Sequence, residues 1–227
     1  MHGADAGHEL LLCYGGTFDP IHLGHLAIAC AARDALGVPV FFVPSADPPH
    51  RPPPGADAKQ RARMIALAIA HVPGLRLDLR ELQRATHSDA PSYTYDTLQE
   101  LRRELGPQQP IAWLMGADSF IALPQWHRWQ DLAELAHLVV AERPGSGLEA
   151  ALPPALAAWS EGRWVRDASA LSQRPAGGLW RLRQPLREES ASAVRAQIAA
   201  GGQWQKLLPA PVADYIVTHR LYGIDAG

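Results

Sequence analysis

The fold of this chain is decided by one stretch of sequence, Leu10-Leu11-Leu12-Cys13-Tyr14-Gly15-Gly16-Thr17-Phe18-Asp19-Pro20-Ile21-His22-Leu23-Gly24-His25. Its continuous apolar start, bounded by turn-forming residues, indicates a strand buried on both faces, as in a parallel sheet covered by helices. Gly15 and Gly16 lack a Cβ, so they can adopt positive φ and let the backbone approach a ligand. The start of the following helix offers unpaired N–H groups to an anion. The stretch therefore predicts a strand, a tight turn and a phosphate site at a helix start.

Two histidines, His22 and His25, follow the turn three residues apart. On a helix this spacing places both imidazoles on one face, and Gly24 keeps that face open. Such a pair can donate hydrogen bonds to phosphate oxygens where negative charge develops during phosphoryl transfer. A zinc site and an incidental solvated pair are the alternatives. No Cys, Asp or Glu completes the helical zinc pattern, so we predict no metal site here.

The same residues carry a family resemblance. The run from Gly15 to His25 resembles the signature of the nucleotidyltransferases that contain a His-x-Gly-His motif, and most closely that of the bacterial nicotinate-nucleotide adenylyltransferases. The match is contiguous and follows the predicted first strand, so it is far more specific than a lone Gly-x-Gly. The resemblance implies that His22 and His25 are the catalytic residues. It also implies that Asp19 binds the mononucleotide and that ATP is bound by Gly15, Gly16, Thr17, Phe18 and Gly24.

Composition limits the class of protein. The chain has 227 residues, 47% of them hydrophobic and 19% charged, with a net charge of -2, which suits one well-buried domain and disfavours nucleic acid as a partner. Its two cysteines, Cys13 and Cys30, lie in apolar segments, so we expect no disulfide and a reducing compartment. No apolar run is long enough to span a bilayer, and residues 1–9 lack the features of a signal peptide. We expect a cytoplasmic protein with no membrane partner and a flexible 1–9 segment.

The order of predicted elements gives the fold class. Strands alternate with helices, and further strands are predicted at 38–43, 75–79, 111–115, 137–141 and 179–182. This order predicts a doubly wound α/β parallel sheet with right-handed crossovers, in a single domain spanning 1–227. The resemblance makes it a Rossmann-like nucleotidyltransferase fold. Residues 145–178 have weak periodicity and are interpreted as a variable insertion with a helix near 152–159.

Three predicted helices have recognisable features. The first, after the histidines, carries a stripe of mostly small residues that suits close packing on the sheet, namely Leu26, Ala27, Cys30, Ala31 and Ala35. A capping box, Asp57 with Gln60, opens a helix over 58–71. A third helix follows the 90–98 segment and ends at Gly106.

A proline-rich segment, 44–54, leaves the carboxyl end of the second strand, where ligands bind in doubly wound folds. It resembles the substrate loop of the family, which implies that His50 and Arg51 bind the mononucleotide. Arg51 stands where the family often has lysine, and arginine keeps the charge but changes the geometry. A linker between domains is the alternative.

Polar residues also follow the later strands. Gly116 and Asp118 come directly after one apolar strand, where a carboxylate can accept from ribose hydroxyls; the alternative for Asp118 is a helix cap. The 92–98 segment and Trp126 with His127 resemble the family's pyridine site. They imply that Trp126 stacks on the ring while Thr94 and the backbone at His127 donate to its carboxylate. The alternatives are helix capping by the hydroxyls and core packing by the tryptophan.

A second nucleotide motif is predicted near the carboxyl terminus. Ser190, Ser192 and Arg195 match the family's Ile-Ser-Ser-Thr-x-Ile-Arg in type, while Glu189 and Ala191 depart from it. Hydroxyls and free N–H groups at a helix start, together with one arginine, can bind a triphosphate. A plain N-cap is the alternative for the serines.

The resemblance implies adenylyl transfer from ATP to nicotinate mononucleotide, which gives nicotinate adenine dinucleotide (deamido-NAD) and pyrophosphate on the route to NAD. Mg²⁺ should arrive with ATP, because it keeps several waters and rarely uses an all-protein cage. A related transferase acting on another phosphate, such as phosphopantetheine, shares the first motif and is one alternative. A non-catalytic nucleotide sensor is another. A class I aminoacyl-tRNA synthetase would need a longer chain and a basic RNA surface.

Overall fold

The computed structural model describes residues 9–46, 55–87, 91–142, 148–183 and 189–224. Within these ranges one sheet is built from β1 (Leu11–Gly16), β2 (Val40–Pro44), β3 (Leu75–Leu77), β4 (Ile111–Gly116), β5 (His137–Glu142) and β6 (Leu179–Arg183). All neighbouring strands pair in parallel, in the order β3-β2-β1-β4-β5-β6. This doubly wound order changes direction between β1 and β4, the position at which such folds bind nucleotides. The predicted fold class is confirmed.

Helices flank this sheet. The described α-helices are α1 (Leu23–Leu36), α2 (Ala58–Ile69), α3 (Arg80–Ala85), α4 (Thr94–Leu105), α5 (Ala117–Ile121), α6 (Leu132–Leu135), α7 (Leu148–Ala151), α8 (Pro154–Ser160), α9 (Ala191–Ala199) and α10 (Ala210–Thr218). The predicted capping box opens α2, with Gln60 N–H donating to Asp57 and Asp57 N–H donating to Gln60. The helix predicted to end at Gly106 is α4, and Gly106 closes it with φ 87°.

The core has one layer on each face of the sheet. Alternate residues of β1 point to opposite faces, so Leu12 and Tyr14 join one apolar cluster while Cys13 joins the other. The central strand β4 is buried from Ile111 to Met115. Burial of both faces explains why these strands are continuous apolar runs.

The predicted buried stripe on α1 is partly wrong. Ala29 and Ala32 are the alanines that α1 buries fully, whereas Ala27 and Ala35 are not among its buried residues. The segment is apolar almost all round, so its sequence has too little polar contrast to mark the inward face. Within 148–178, the bounds of α8 nearly match those of the helix predicted at 152–159. Leu156 and Leu171 in this region are buried. The structure does not test whether 145–178 is a variable insertion, so that interpretation stays a prediction.

Candidate active site

His22 and His25 lie at the start of α1, beyond the carboxyl end of β1. Their rings stack, with centroids 3.7 Å apart and planes inclined by 28°. His22 is the N-cap of α1: its Nδ1 accepts from the His25 N–H at 3.3 Å, and the His25 Nδ1 accepts from the His22 N–H at 3.3 Å. This is a capping box made by two histidines instead of the usual hydroxyl and carboxylate.

The capping box fixes the tautomer of both rings. A neutral imidazole carries one proton, and Nδ1 cannot hold it while accepting from a backbone N–H. Nε2 of His22 and Nε2 of His25 are therefore the protonated nitrogens. Phe18 packs edge-on against His25, with ring centroids 5.0 Å apart, and limits the directions in which that ring can turn. The pair thus presents two oriented donors from one helix start, which suits an anion with several oxygens.

The glycines of the motif serve packing, and neither Gly15 nor Gly16 uses the positive φ that is open to glycine. The positive-φ residue of this turn is Phe18, at φ 52°. A Cβ on Gly15 would lie 2.0 Å from the Trp113 ring, and one on Gly16 would lie 2.9 Å from the Phe18 ring. Both glycines belong to β1, where absent side chains make room for neighbouring aromatic rings.

Gly24 brings the second nucleotide motif to the histidines. A Cβ at this position would lie 3.0 Å from the His22 ring and 3.2 Å from the Glu189 backbone oxygen. The chain leading into α9 therefore packs directly on the start of α1. Ser190 is the N-cap of α9 and accepts from the Ala193 N–H at 3.1 Å, and its Oγ is 3.1 Å from the Ser192 Oγ. Ser190 therefore caps α9, as the alternative interpretation of the serines had it. Ser192 is exposed and does not cap the helix.

Asp19 connects the motif to distant parts of the chain. Its carboxylate accepts from the N–H of Gly55 at 2.8 Å, from the N–H of Ala56 at 3.2 Å and from the Tyr222 hydroxyl at 2.7 Å. Arg195 donates to the Asp19 backbone oxygen at 2.5 Å and lies 3.6 Å from its carboxylate. Burial and the adjacent carboxylate raise the pKa of Tyr222, which keeps the hydroxyl protonated as a donor. Asp19 is thus a junction between α1, the start of α2 and the carboxyl-terminal segment.

Arg61 is a structural residue of this region that the sequence did not suggest. It is fully buried on α2, and its guanidinium donates to the backbone oxygens of Thr17 at 2.6 Å, Ser45 at 2.6 Å, Ala46 at 3.0 Å and Ala56 at 3.3 Å. These carbonyls belong to the motif turn and to the segments that flank 47–54. The predicted ligands His50 and Arg51 lie within 47–54, outside the described residues. The only sequence signal for Arg61 is an arginine among the inward positions of a helix.

The residues that follow β4 lie at the neighbouring strand end. Gly116 is the N-cap of α5, and a Cβ there would meet nothing within 4 Å. Asp118 is exposed in the first turn, and α5 has no side-chain cap. The alternative interpretation of Asp118 as a helix cap is therefore wrong. Because β1 and β4 pair in parallel, Gly116 and the β1 turn end at the same edge of the sheet.

Two of the segments predicted for the pyridine site approach each other at the start of α4. Thr94 is its first residue, and no side chain caps that helix start. The His127 ring lies 4.5 Å from the Tyr93 ring, centroid to centroid, so the loop after α5 touches α4 beside Thr94. Trp126 is half-buried at the edge of the apolar cluster on that face.

The hydroxyls near Thr94 are not caps. Ser92 and Thr97 instead accept from Arg84 of α3, a helix that the sequence did not predict. The capping alternative for this cluster is wrong.

Known proteins resemble this chain along almost its whole length. A family profile described as cytidylyltransferase-like matches residues 13–197. A probable nicotinate-nucleotide adenylyltransferase from Stenotrophomonas maltophilia is 61% identical over 94% of this chain and 97% of the relative. This chain belongs to the nicotinate-nucleotide adenylyltransferase family. Members from Xylella fastidiosa (strain 9a5c) and Yersinia pestis (strain Pestoides F) are 54% and 43% identical over 95% of this chain and 97% and 96% of the relatives.

Solved structures support the fold of this family member. The nicotinic acid mononucleotide adenylyltransferase of Plasmodium falciparum, complexed with NaAD, matches with a TM-score of 0.69 at 19% identity and covers 96% of this chain and 99% of that one. A putative nicotinate-nucleotide adenylyltransferase from Vibrio parahaemolyticus matches with a TM-score of 0.57 at 13% identity, covering 94% and 95%. None of the helices described in our structure is long and apolar enough to cross a membrane.

Proposed function

We propose that this enzyme transfers the adenylyl group of ATP to nicotinate mononucleotide, giving nicotinate adenine dinucleotide and pyrophosphate. The observation that carries the proposal is the stacked histidine pair, whose tautomers are set by backbone N–H groups at the start of α1. Family membership and the 61% identical relative support the choice of substrates. So does the NaAD complex of the P. falciparum relative, whose fold this chain shares.

The chemistry needs alignment and charge stabilisation more than proton transfer. The mononucleotide phosphate is anionic at neutral pH, so it can attack the α-phosphorus of ATP without a general base. A bond forms between this phosphate oxygen and the α-phosphorus as the bond to the pyrophosphate oxygen breaks. Two Nε2–H donors oriented by one capping box can stabilise, by hydrogen bonding, the negative charge that develops on the phosphoryl oxygens and the leaving group. His22 and His25 are the catalytic residues in this proposal.

Mg²⁺ belongs to the substrate in this scheme. Among the described residues no group of three or more His, Cys, Asp or Glu side chains is placed to hold a metal ion. Mg²⁺ prefers octahedral oxygen coordination and retains waters, so it is expected to enter with the triphosphate of ATP. The ion would neutralise charge on the leaving pyrophosphate.

ATP is assigned to the edge where β1, β4 and the start of α9 meet. Gly15, Gly16, Thr17, Phe18 and Gly24 shape the floor. Ser190, Ser192 and Arg195 would bind the triphosphate, supported by the packing of the Glu189 backbone close to the His22 ring. Gly116 and Asp118 would face the ribose, since Asp118 is exposed and makes no cap.

Nicotinate mononucleotide is assigned to the start of α4 and the loop after α5. Trp126 would stack on the pyridine, and Thr94 with the His127 backbone would donate to its carboxylate. Among the described residues no side chain caps the start of α4. The first N–H groups of a helix have no intrahelical partner and lie at its positive dipole end, which favours an acid there over an amide. Asp19, His50 and Arg51 complete the proposed mononucleotide site.

We also propose that the chain works as a single domain in the cytoplasm. One sheet and two core clusters account for the described residues, and both cysteines are free thiols, which suits a reducing compartment.

A competition assay tests the reaction. The purified enzyme with ATP and Mg²⁺ is offered nicotinate mononucleotide, nicotinamide mononucleotide and phosphopantetheine, and pyrophosphate release is measured. We expect a preference for the acid over the amide of about a hundredfold or more in kcat/KM, because the amide would set its NH₂ group against a donor. Equal kcat/KM for acid and amide contradicts the pyridine site. Turnover of phosphopantetheine alone supports the related transferase, and ATP binding without turnover supports the sensor.

A further inference from the structure

A buried polar network joins α3 to the first turns of α4. Arg84 Nη2 donates to the Ser92 Oγ at 2.6 Å and to the Thr97 Oγ1 at 2.6 Å. The Thr97 hydroxyl donates in turn to the Glu81 carboxylate at 2.7 Å. Glu81, Ser92 and Thr97 are all buried, and Arg84 Nη1 also pairs with Glu100 at 2.7 Å. The network therefore bonds α3 to Ser92, two residues before Thr94, and to Thr97, three residues after it.

The opposite side of the same turn faces the loop that carries Trp126. Tyr93 stacks with His127, and the Arg128 guanidinium lies 4.0 Å from the centre of the Tyr95 ring. The Ser92 and Thr97 hydroxyls are thus directed to α3. The rings of Tyr93 and Tyr95 contact the 126–129 loop instead. Thr94 lies between these two sets of contacts.

Directional bonds give this network a geometric role. The Thr97 hydroxyl has one proton, for which the Glu81 carboxylate at 2.7 Å is the nearer acceptor and the Tyr93 backbone oxygen at 3.3 Å the farther. It also accepts from Arg84, so partners on both sides limit its orientation. Any rotation or slide of α4 breaks at least one of these bonds. Because Glu81, Ser92 and Thr97 are buried, a broken bond leaves their polar atoms with little access to water as a replacement partner.

Resting on the proposed function, we propose that Arg84 is a positioning residue that sets the preference for acid over amide. By holding Ser92 and Thr97, it fixes the Thr94 hydroxyl and the α4 start relative to Trp126 and His127. A donor that is misplaced by a fraction of an ångström no longer distinguishes a carboxylate from an amide. Arg84 touches neither substrate in this assignment.

Arg80 provides a matched control on the same helix. It pairs with Asp78 at 2.8 Å, with Glu100 at 3.5 Å and with Glu104 at 3.2 Å, so it ties α3 to the far half of α4. Arg80 and Arg84 share the charge, the helix and the Glu100 partner. Only Arg84 holds the hydroxyls that flank Thr94.

The test compares Arg84→Gln with Arg80→Gln in the full-length enzyme, using ATP, nicotinate mononucleotide and nicotinamide mononucleotide as separately varied substrates. We expect Arg84→Gln to raise KM for the acid by about tenfold or more and to reduce the acid-to-amide ratio of kcat/KM by a similar factor. KM for ATP should stay within about twofold, and Arg80→Gln should leave the ratio unchanged. A structural role alone would lower stability in both variants without moving the ratio.

A second pair of variants covers the case in which Arg84→Gln fails to fold. Thr97→Val keeps the shape and removes the hydroxyl, whereas Thr97→Ser keeps the hydroxyl. We expect Thr97→Val to lose selectivity as Arg84→Gln does, and Thr97→Ser to keep it. Unchanged selectivity in folded Thr97→Val overturns the proposal. A wild-type enzyme that does not prefer the acid instead overturns the pyridine assignment, so the two failures are distinguished by the wild-type assay.

Discussion

The Tyr222 hydroxyl donates a 2.7 Å hydrogen bond to the carboxylate of Asp19, which lies 203 residues earlier in the chain. The same carboxylate accepts from the backbone of Gly55 and Ala56. One buried side chain of the first motif thus fixes the carboxyl-terminal segment and the entry to α2 in a single geometry. Stability and site shape are linked at this residue.

Tyr222→Phe removes this bond and little else. A hydrogen bond to a charged group contributes about 1.5–3 kcal/mol, so we expect the free energy of unfolding to fall by that amount. Urea denaturation measures it. Tyr215→Phe is the matched control, because Tyr215 contacts the His219 ring, with centroids 4.1 Å apart, and phenylalanine retains that contact. Equal stability of the Tyr222→Phe and Tyr215→Phe proteins would contradict the junction at Asp19.

His22→Asn separates folding from catalysis. Asparagine is a good N-cap and can accept from the His25 N–H as Nδ1 does, but it has no counterpart of the Nε2 donor. We expect near-wild-type stability and a kcat lower by about 10²–10³-fold, the loss typical of one transition-state donor. His25→Ala should lower kcat similarly. Steady-state kinetics alongside thermal unfolding checks both, and near-normal kcat in either variant would refute the mechanism.

Arg61→Met tests the buried guanidinium on α2. Its removal leaves the carbonyls of Thr17, Ser45, Ala46 and Ala56 without this donor. Buried polar groups without partners are penalised by about 1–3 kcal/mol each, so we expect a loss of more than about 3 kcal/mol. Arg63→Met, at an exposed position of the same helix, should change stability by less than about 0.5 kcal/mol. Similar losses in both variants would show that Arg61 has no special role.

The doubly wound class of the sheet and the place of the predicted site could be proposed from the sequence because both depend on local patterns. Apolar runs mark buried strands, and polar residues at the ends of parallel strands converge on one edge whatever their distance in sequence. That Gly16 and Gly116 end neighbouring strands at one edge follows from that rule. The capping box at Asp57 is equally local.

The contacts that hold the site could not be predicted, since they are long-range. Nothing local marks Trp113 as the ring that fills the space over Gly15, so the glycine suggested ligand approach where the structure has packing. The sequence alone does not show the carbonyl partners of Arg61 or the hydroxyl partners of Arg84, because the fold brings them from other segments. Residue type suggests the chemistry that we propose for His22 and His25, whereas the position of each arginine in the fold determines its contacts.

Stability should fall below neutral pH because of His137. The side chain is buried on β5; its Nδ1 accepts from the Gly178 N–H at 2.9 Å, so its Nε2 donates to the Arg174 carbonyl at 2.8 Å. Burial lowers the pKa of His137 in the folded protein. In the unfolded chain a histidine has a pKa of about 6.5, so below that pH the unfolded chain binds a proton that folded His137 does not bind. The free energy of unfolding therefore decreases as the pH falls below that value.

The expected slope is up to about 1.4 kcal/mol per pH unit for this one group. Urea denaturation at pH 7, 6 and 5 measures it, and the difference between wild type and His137→Asn isolates the contribution from that of other titrating groups. A difference that stays constant across the three pH values would mean that His137 accepts its proton in the folded state.

The serines of the second motif separate capping from phosphate binding. Ser190 is the N-cap of α9 and accepts from the Ala193 N–H, whereas Ser192 is exposed in the first turn. Ser190→Ala should therefore lose about 1 kcal/mol of stability, and Ser192→Ala less than about 0.5 kcal/mol. If both hydroxyls bind the triphosphate, both variants should raise KM for ATP while KM for nicotinate mononucleotide changes little. Denaturation and two-substrate kinetics on the same preparations check this. A normal KM for ATP in both variants would exclude the two serines as phosphate ligands and leave Arg195 as the remaining candidate of this motif.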